Sequence, residues 1–259
     1  MATNQSNDAL RFMAWQLAAL EARPAGSDLL SVGPFRVVFP TEPGGSSWVT
    51  LVEGAGTQAE VHDAVGRLRS MFARREATLE IEFNESVAPH AAAWLEAAGM
   101  KQAERNPLMA CRPDGFKPFA APDVVLHRLN PGSAARELEV FQEIRWTEGG
   151  EASVPIPPVE RLRKDLGSES SVFLLAWVEG SPAGTGVSYS LQGAGEIVGI
   201  VTRIASRRRG VAATVSSELV ARHFASGGDF VFLDAANDAA ARVYERLGFA
   251  RFGANVVYR

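Results

Sequence analysis

Residues 201–224, "VTRIASRRRGVAATVSSELVARHF", bring positive charge, a glycine and small residues together at the predicted start of a helix. The first turn of a helix leaves backbone N–H groups without internal partners, at the positive end of the helix dipole. Small residues let an anion approach such a turn, and arginines add fork-shaped hydrogen-bond donors. The sequence therefore predicts a site for a phosphate-bearing ligand, formed by Arg207, Arg208, Arg209, Gly210, Val211, Ala212 and Ala213.

Two other interpretations of these arginines are a solvated helix start and a nucleic-acid patch. The run is short and has no aromatic neighbours, and the whole chain carries a formal net charge of -4. A nucleic-acid-binding surface is typically basic over a wider area, so no nucleic-acid partner is expected. The segment is not a P-loop either, because no G-K-S/T sequence follows it.

Two motifs in the second half resemble the signatures of the GNAT superfamily of acyltransferases. "RRRGVA" fits the acyl-CoA signature Q/R-x-x-G-x-G/A at Arg207, Gly210 and Ala212, between a predicted strand and a predicted helix. Further along, "NDAAARVYERLGF" resembles the second signature, N-x-x-A-x-x-L/V-Y-E-x-x-G-F, at Asn237, Ala240, Val243, Tyr244, Gly248 and Phe249. The resemblance covers about residues 123–259.

The resemblance implies that the chain transfers an acetyl group from acetyl-CoA to the amine of a small molecule or a peptide. The pantetheine of CoA would pair with the edge of a strand at Ile200, Val201 and Thr202. Asn237 and Ala240 would also contact the cosubstrate, although Asn237 could equally be the N-cap of the following helix. A non-catalytic acyl-CoA sensor and a transferase of a longer acyl group remain alternatives.

Glu196 and Tyr244 are the candidate catalytic residues. An ammonium group cannot attack a thioester, so a base must take its proton, and Glu196 resembles the catalytic glutamate of the histone-acetylating branch in its position before the signature. Tyr244 resembles the family tyrosine near the CoA sulfur, where it would protonate the leaving thiolate. Strand alternation predicts one shared face for Glu196, Val198, Ile200 and Thr202. An exposed glutamate and a core tyrosine are the alternatives.

The loop predicted over residues 143–158 falls where the family has its variable substrate loop. Trp146, Glu148 and Glu151 could line an acceptor pocket there, and a merely solvated loop is the alternative. No metal is expected, because the four histidines are scattered without ligand spacing and Cys111 is the single cysteine.

The length of 259 residues favours two domains. The segment "PDGFKPFAAPD", residues 113–123, carries three prolines and a glycine, which predicts a boundary between a domain at 1–118 and another at 119–259. The predicted fold class is α/β, with each domain a mixed, mainly antiparallel sheet flanked by helices. Without a convincing signal peptide or a long apolar run, a cytoplasmic monomer or homodimer with no membrane contact is expected.

The two halves also share an internal echo. "LEIEFNESVAPHAAAWLEAAGM" in the first half aligns with "FVFLDAANDAAARVYERLGF" in the second, each a strand, a linker, a helix and a glycine. Chance similarity of two ordinary strand–helix units is the alternative to tandem copies of one fold. The first half has no acyl-CoA signature, and Leu95 stands at the place of Tyr244. We therefore predict a degenerate first copy that binds no CoA and either covers part of the acceptor groove or occupies a dimer face.

Overall fold

The computed structural model of the protein describes residues 2–22, 27–40, 47–51, 56–149 and 156–259. Seven helices and eleven strands lie in these ranges. In chain order they are α1 (Ala2–Glu21), β1 (Ser27–Val32), β2 (Phe35–Pro40), β3 (Trp48–Leu51), α2 (Gln58–Ala73), β4 (Ile81–Asn84), α3 (Ala91–Ala97), β5 (Gln102–Cys111), β6 (Val124–Leu129), α4 (Ala135–Glu143), α5 (Val159–Asp165), β7 (Ser171–Val178), β8 (Ser181–Leu191), β9 (Ala194–Thr202), α6 (Val211–Ala225), β10 (Phe230–Asp234), α7 (Asp238–Arg246) and β11 (Ala250–Tyr258). A π-helical turn, Ile144–Glu148, follows α4, and a 3-10 turn, Ile204–Ser206, follows β9.

The chain forms two compact units. The first unit contains Met1–Leu108, Asp234–Asn237 and Arg251–Arg259, and the second contains Met109–Leu233 and Asp238–Ala250. These units differ from the predicted domains, 1–118 and 119–259. Residues 109–118 cluster with the second unit, and residues 251–259, which form most of the last strand, cluster with the first.

The first unit is a sheet in the order β1-β2-β3-β4-β11-β5. The β3–β4 pair is parallel, whereas β1–β2, β2–β3 and β4–β11 are antiparallel. Strand β11 brings Val256 and Tyr258 into the core of this unit, beside Phe35 and Phe83. Because this strand comes from the end of the chain, the core of the first unit is complete only when residues 251–259 are present.

The second unit is a sheet in the order β10-β9-β8-β7-β6, in which only the β9–β10 pair is parallel. One face packs against α4 and α5 through a cluster that includes Leu138, Phe141 and Phe173. On the other face, α6 lies against two glycines of β8. A Cβ atom at Gly186 would clash with the Val215 side chain, so glycine permits this close approach.

The internal echo has a structural counterpart at the ends of α3 and α7. Gly99 and Gly248, the second residues after these helices end, both adopt a positive φ, 77° and 97°. In each case the next N–H group, of Met100 or Phe249, donates to the carbonyl five residues back, of Leu95 or Tyr244. These are matching Schellman ends, in which a glycine tolerates the left-handed conformation that terminates the helix. The alignment of Leu95 with Tyr244 therefore holds in three dimensions.

The predicted fold class is confirmed, since the strands of each unit pair in a mixed, mainly antiparallel way and are flanked by helices. Sequence patterns missed β1 and the π-helical turn after α4. Within the described ranges, none of the helices is both long and apolar enough to span a bilayer.

Candidate functional site

Strand β9 has one edge that is only partly paired. Its other edge pairs with β8 from Ala194 to Thr202. On the β10 side, the parallel register ends at the pair of Leu233 with Ile197, while β9 continues to Thr202. In the part of the chain that the structure describes, β10 therefore offers no partner to residues 198–202. An extended ligand could form backbone hydrogen bonds along this stretch, which contains Ile200, Val201 and Thr202.

A β-bulge interrupts β9 beside this open edge. The β8–β9 register shifts between Thr185 and Val187, and Gly199 adopts a φ of 60°. The buried Thr185 hydroxyl donates to the Gly199 carbonyl oxygen at 3.1 Å, which holds the bulge in place. The predicted single face for Glu196, Val198, Ile200 and Thr202 is therefore wrong at Ile200 and at Thr202, which pairs with Gly184.

The side-chain contacts of β9 show how the faces change across the bulge. Val198 and Val201 pack against the cluster beneath α4 and α5. The Cδ1 atom of Ile200 instead lies 2.7 Å from the place where a Cβ of Gly186 would stand, on the face that carries α6. The extra residue of a bulge reverses the inward and outward alternation beyond it.

The turn before α6 leaves backbone N–H groups available to an anion. Arg208 and Gly210 have φ values of 61° and 80°, and Gly210 is the N-cap residue of α6. A glycine has no side chain with which to cap the helix, and no side-chain cap bond is formed there. The first-turn N–H groups are therefore oriented for an external acceptor, which is the geometry of an anion site.

The three consecutive arginines differ in their partners. Arg209 donates to both carboxylate oxygens of Glu179, at 3.0 and 2.8 Å. This guanidinium lowers the pKa of the Glu179 carboxyl below its usual value. Arg207 and Arg208 are exposed, and within the described ranges neither forms an ion pair. The structure thus leaves two of the three arginines available to a ligand.

A cavity of about 610 Å³ opens at this turn. Its lining residues come from the turn, from β9, from α7 and its C-terminal end, and from the segment before β6: Phe119, Thr202, Arg207, Arg208, Gly210, Val211, Ala212, Ala213, Val243, Arg246 and Leu247. Phe119 and Arg246 were missed by sequence analysis. Arg246 lies within the second signature, between its glutamate and its glycine, but the signature leaves that position unspecified.

Tyr244 does not line this cavity. Its side chain is only 7 % exposed, and its ring lies 5.8 Å from that of Phe249. Ala240 is half-buried on the same helix, and Asn237 is exposed directly before that helix begins. The predicted roles of Tyr244, Ala240 and Asn237 stay predictions.

Glu196 lies in β9, opposite Tyr189 of β8. Burial raises the pKa of the Tyr189 phenol; the nearby Arg145 guanidinium opposes this shift, and the carboxylates of Asp165 and Glu196 add to it. The Arg145 guanidinium carbon lies 3.3 Å from the Cβ position of Gly199, over the bulge. The candidate base therefore belongs to a cluster of ionisable side chains on the face that carries α4 and α5.

Asp165, in the same cluster, is the last residue of α5. Burial raises the pKa of its carboxyl, and Arg161, Arg145 and Lys164 act against that rise. Tyr189, Arg145 and Asp165 were not singled out from the sequence. No spacing rule could find them, because they come from a strand, a π-helical turn and a helix that only the fold brings together.

Of the residues predicted to line an acceptor pocket, Glu148 has structural partners. It accepts a hydrogen bond from the Ile204 N–H at 2.8 Å and lies 3.6 Å from Arg203. It thus joins the π-helical turn to the start of the 3-10 turn that follows β9. Trp146 is half-buried in the same turn, and Glu151 lies outside the described residues. A role for these residues in acceptor binding stays a prediction.

Residues 138–249 match the family model for the acetyltransferase (GNAT) family. No curated protein matched the chain. Among solved structures, a GCN5-related N-acetyltransferase from Kribbella flavida is 24 % identical over 96 % of this chain and 94 % of that one, with a TM-score of 0.78.

Two further solved structures share the fold over most of the chain. A GCN5-related N-acetyltransferase from Sphaerobacter thermophilus is 20 % identical and covers 87 % of this chain and 80 % of that chain, with a TM-score of 0.62. A tandem GNAT protein from the clavulanic acid biosynthesis pathway is 16 % identical and covers 100 % and 96 %, with a TM-score of 0.58. The tandem arrangement expected from the internal echo therefore agrees with the fold of a known protein.

Proposed function

Because residues 138–249 match the model of the GNAT acetyltransferase family, we propose that the chain transfers an acetyl group from acetyl-CoA to a primary amine. The observation that carries this proposal is the cavity at the start of α6, next to the open edge of β9. Arg207, Arg208 and Arg246 line the cavity, and none of them forms an ion pair within the described ranges. A polyanion would supply the missing counter-charge.

The residues of this site fit the parts of a CoA molecule. The uncapped N–H groups of α6 and the free guanidinium groups suit the pyrophosphate, because both provide positive charge and hydrogen-bond donors. The amide groups of the pantetheine suit the open edge at Ile200, Val201 and Thr202, where backbone donors and acceptors have no strand partner in β10. Asn237 and Ala240 are further proposed contacts of the bound CoA.

Bound acetyl-CoA supplies an acetyl group activated as a thioester. The amine nitrogen bonds to the carbonyl carbon, the carbon–sulfur bond breaks, and the amine gives up a proton. In the proposal the Glu196 carboxylate takes this proton, and the Tyr244 hydroxyl donates one to the departing sulfur. A backbone N–H of β9 near the bulge would stabilise the negative charge that develops on the carbonyl oxygen.

The acceptor is proposed to be an amine of a small molecule or a peptide. Its amino group must reach Glu196, and the face of β9 that carries Glu196 also carries Tyr189 and Arg145. An acceptor would therefore approach from the side of α4 and α5, with Trp146, Glu148 and Glu151 as proposed contacts. A longer acyl group on the same CoA carrier, or acyl-CoA binding without transfer, would use the same anion site.

The deciding experiment measures thiol release from acetyl-CoA over a panel of small and peptide amines. The matched control is Gly210→Glu, because a side chain there would meet Phe119 and Ala121 and would bring negative charge to the turn. We expect turnover with at least one amine in the parent and none in the variant. Tight binding of acetyl-CoA without turnover on any amine would favour a sensor, and faster reaction with succinyl-CoA would favour a longer donor.

A further inference from the structure

The segment in which the sequence predicts a domain boundary, residues 113–123, packs against α6. Residues 116–121, here called the strap, are held by their backbone N–H groups. Phe119 donates to the Ser217 hydroxyl at 2.8 Å, and Ala121 donates to the Thr214 hydroxyl at 2.9 Å. Both hydroxyl-bearing residues are buried on α6. Backbone anchoring of this kind fixes the course of the strap whatever side chains it carries.

The anchored strap presents the ring of Phe119 to the cavity. Two ring carbons lie 3.2 and 3.4 Å from the Cβ position of Gly210, the N-cap residue of α6. The side chain is nevertheless 46 % exposed, although most phenylalanines of this chain are buried. The ring therefore leaves apolar surface exposed to solvent beside the proposed anion site, and a flat ligand could cover that surface.

The positive charges around the Phe119 ring indicate which class of ligand fits the cavity. Phe119 shares the cavity lining with Arg207, Arg208 and Arg246, which have no ion pairs within the described ranges. A flat aromatic face among unpaired cations suits a nucleotide, whose base can stack while its phosphates meet the arginines. A simple phosphate or a fatty acyl chain would use only one of these two features.

We propose that Phe119 is the stacking platform for the adenine base of CoA, and that the strap completes the cosubstrate site. The inference rests on the proposed function, because it assigns CoA to this cavity. The open edge of β9 suits the pantetheine end, so the adenosine end extends past the turn of α6, where Phe119 lies. CoA recognition in this chain would then depend on residues that lie before the matched family region, 138–249.

The test compares calorimetric titrations of CoA and of 4′-phosphopantetheine, which lacks the 3′-phosphoadenosine of CoA and one of its two bridging phosphates. We expect Phe119→Ala to weaken CoA binding roughly 10-fold or more, as loss of a base–aromatic stack does. The variant should bind 4′-phosphopantetheine like the parent. Phe119→Tyr retains the ring and should retain CoA affinity, whereas Phe119→Leu retains only apolar volume and should resemble the alanine variant.

The binding results separate a failure of the stacking platform from a failure of the proposed function. Unchanged CoA affinity in Phe119→Ala, or an equal loss for both ligands, would overturn the platform while leaving the proposed function intact. Failure of the parent to bind CoA at all would overturn the proposed function and the platform with it. Melting temperatures of the variants distinguish lost stacking from unfolding, and they should match the parent because the strap is anchored through its backbone.

Discussion

The guanidinium of Arg209 donates two hydrogen bonds to the carboxylate of Glu179, at 3.0 and 2.8 Å. Glu179 lies in the turn between β7 and β8, where its own φ is 52°. One arginine of the "RRRG" run is thus engaged with the protein itself. The positive charge left for a ligand comes from Arg207 and Arg208, together with Arg246 from α7.

We predict that the arginines contribute unequally to CoA binding. The double variant Arg207→Gln, Arg208→Gln should weaken binding roughly 10-fold or more, because each removes a charged hydrogen-bond donor from the cavity. Arg209→Gln should weaken binding within about 3-fold, since its charge is already compensated. The measurement is calorimetry with CoA at low ionic strength. A loss for Arg209→Gln as large as that of the double variant would contradict this assignment.

We predict that Glu196 and Tyr244 differ in the pH dependence of their variants. Glu196→Gln should lower kcat/KM about 10²–10⁴-fold, and the loss should shrink at high pH, where the amine deprotonates without help. Tyr244→Phe should lower it less, because a thiolate leaves readily, and this loss should not shrink as the amine deprotonates. Binding of CoA should change little in either variant.

The measurement for this pair is a pH–rate profile of the parent and both variants with one good acceptor. Equal, pH-independent losses would show that Glu196 holds a position rather than takes a proton. An unaffected Glu196→Gln variant would direct the search to a water chain or to the acidic side chains of residues 143–158.

We predict that the first unit becomes less stable as the pH rises through neutrality. Burial raises the pKa of Glu82 from its usual 4.5 to about 7; Asn255 opposes the rise, and Asp234 and Glu80 add to it. Between pH 4.5 and about 7, Glu82 keeps its proton in the folded chain but has lost it in the unfolded chain. The free energy of unfolding therefore falls from pH 4.5 upward, and the penalty is complete above about pH 7.

Glu82→Gln should remove this penalty, because a glutamine does not ionise and its oxygen can still accept the hydrogen bond from the Trp48 indole. The variant should match the parent near pH 4 and exceed its stability at pH 8 by about 1–3 kcal/mol. Urea unfolding at the two pH values measures the difference. The same difference at both pH values would show that the pKa of Glu82 is not raised by folding.

We predict that the first unit depends on the last strand of the chain. Tyr258 is fully buried, lies 6.0 Å from the ring of Phe83 and donates to Glu96 at 3.1 Å. Tyr258→Ala should lower the free energy of unfolding by about 3–5 kcal/mol through the cavity it leaves. Tyr258→Phe should lower it by about 1 kcal/mol, because only a hydrogen bond is lost.

Val257→Ala is the matched control for Tyr258, because its side chain lies on the other, less buried face of β11. Val257→Ala should lower the free energy of unfolding, measured with urea, by less than Tyr258→Ala does. Equal effects at the two positions would mean that the core does not depend on Tyr258.

We predict that the first unit binds no CoA, since it lacks the acyl-CoA signature and has Leu95 at the place of Tyr244. A fragment of residues 1–118 is a poor test, because it lacks β11 and part of its core. The full chain carrying Gly210→Glu is the better one. Calorimetry should detect no CoA binding, and micromolar affinity in that variant would reveal a second site.

The sequence by itself determined the glycine turn before α6, the glycine-terminated helices and the class of fold. These features are local: a turn needs Gly210 for its left-handed φ, and helices and strands follow from the spacing of apolar residues over a short window. The alignment of Leu95 with Tyr244 could be counted from Gly99 and Gly248 for the same reason. Each of these glycines ends its helix through hydrogen bonds among near neighbours.

Only the tertiary structure decided which of these residues meet. The bulge at Gly199 moved Ile200 to the opposite face from the one that strand alternation predicted. Arg209 pairs with Glu179, and Phe119 lines the cavity although it lies in the segment predicted as a domain boundary. The last strand joined the first unit. Each of these outcomes depends on contacts between positions far apart in the chain, and short-range residue spacing carries no information about such contacts.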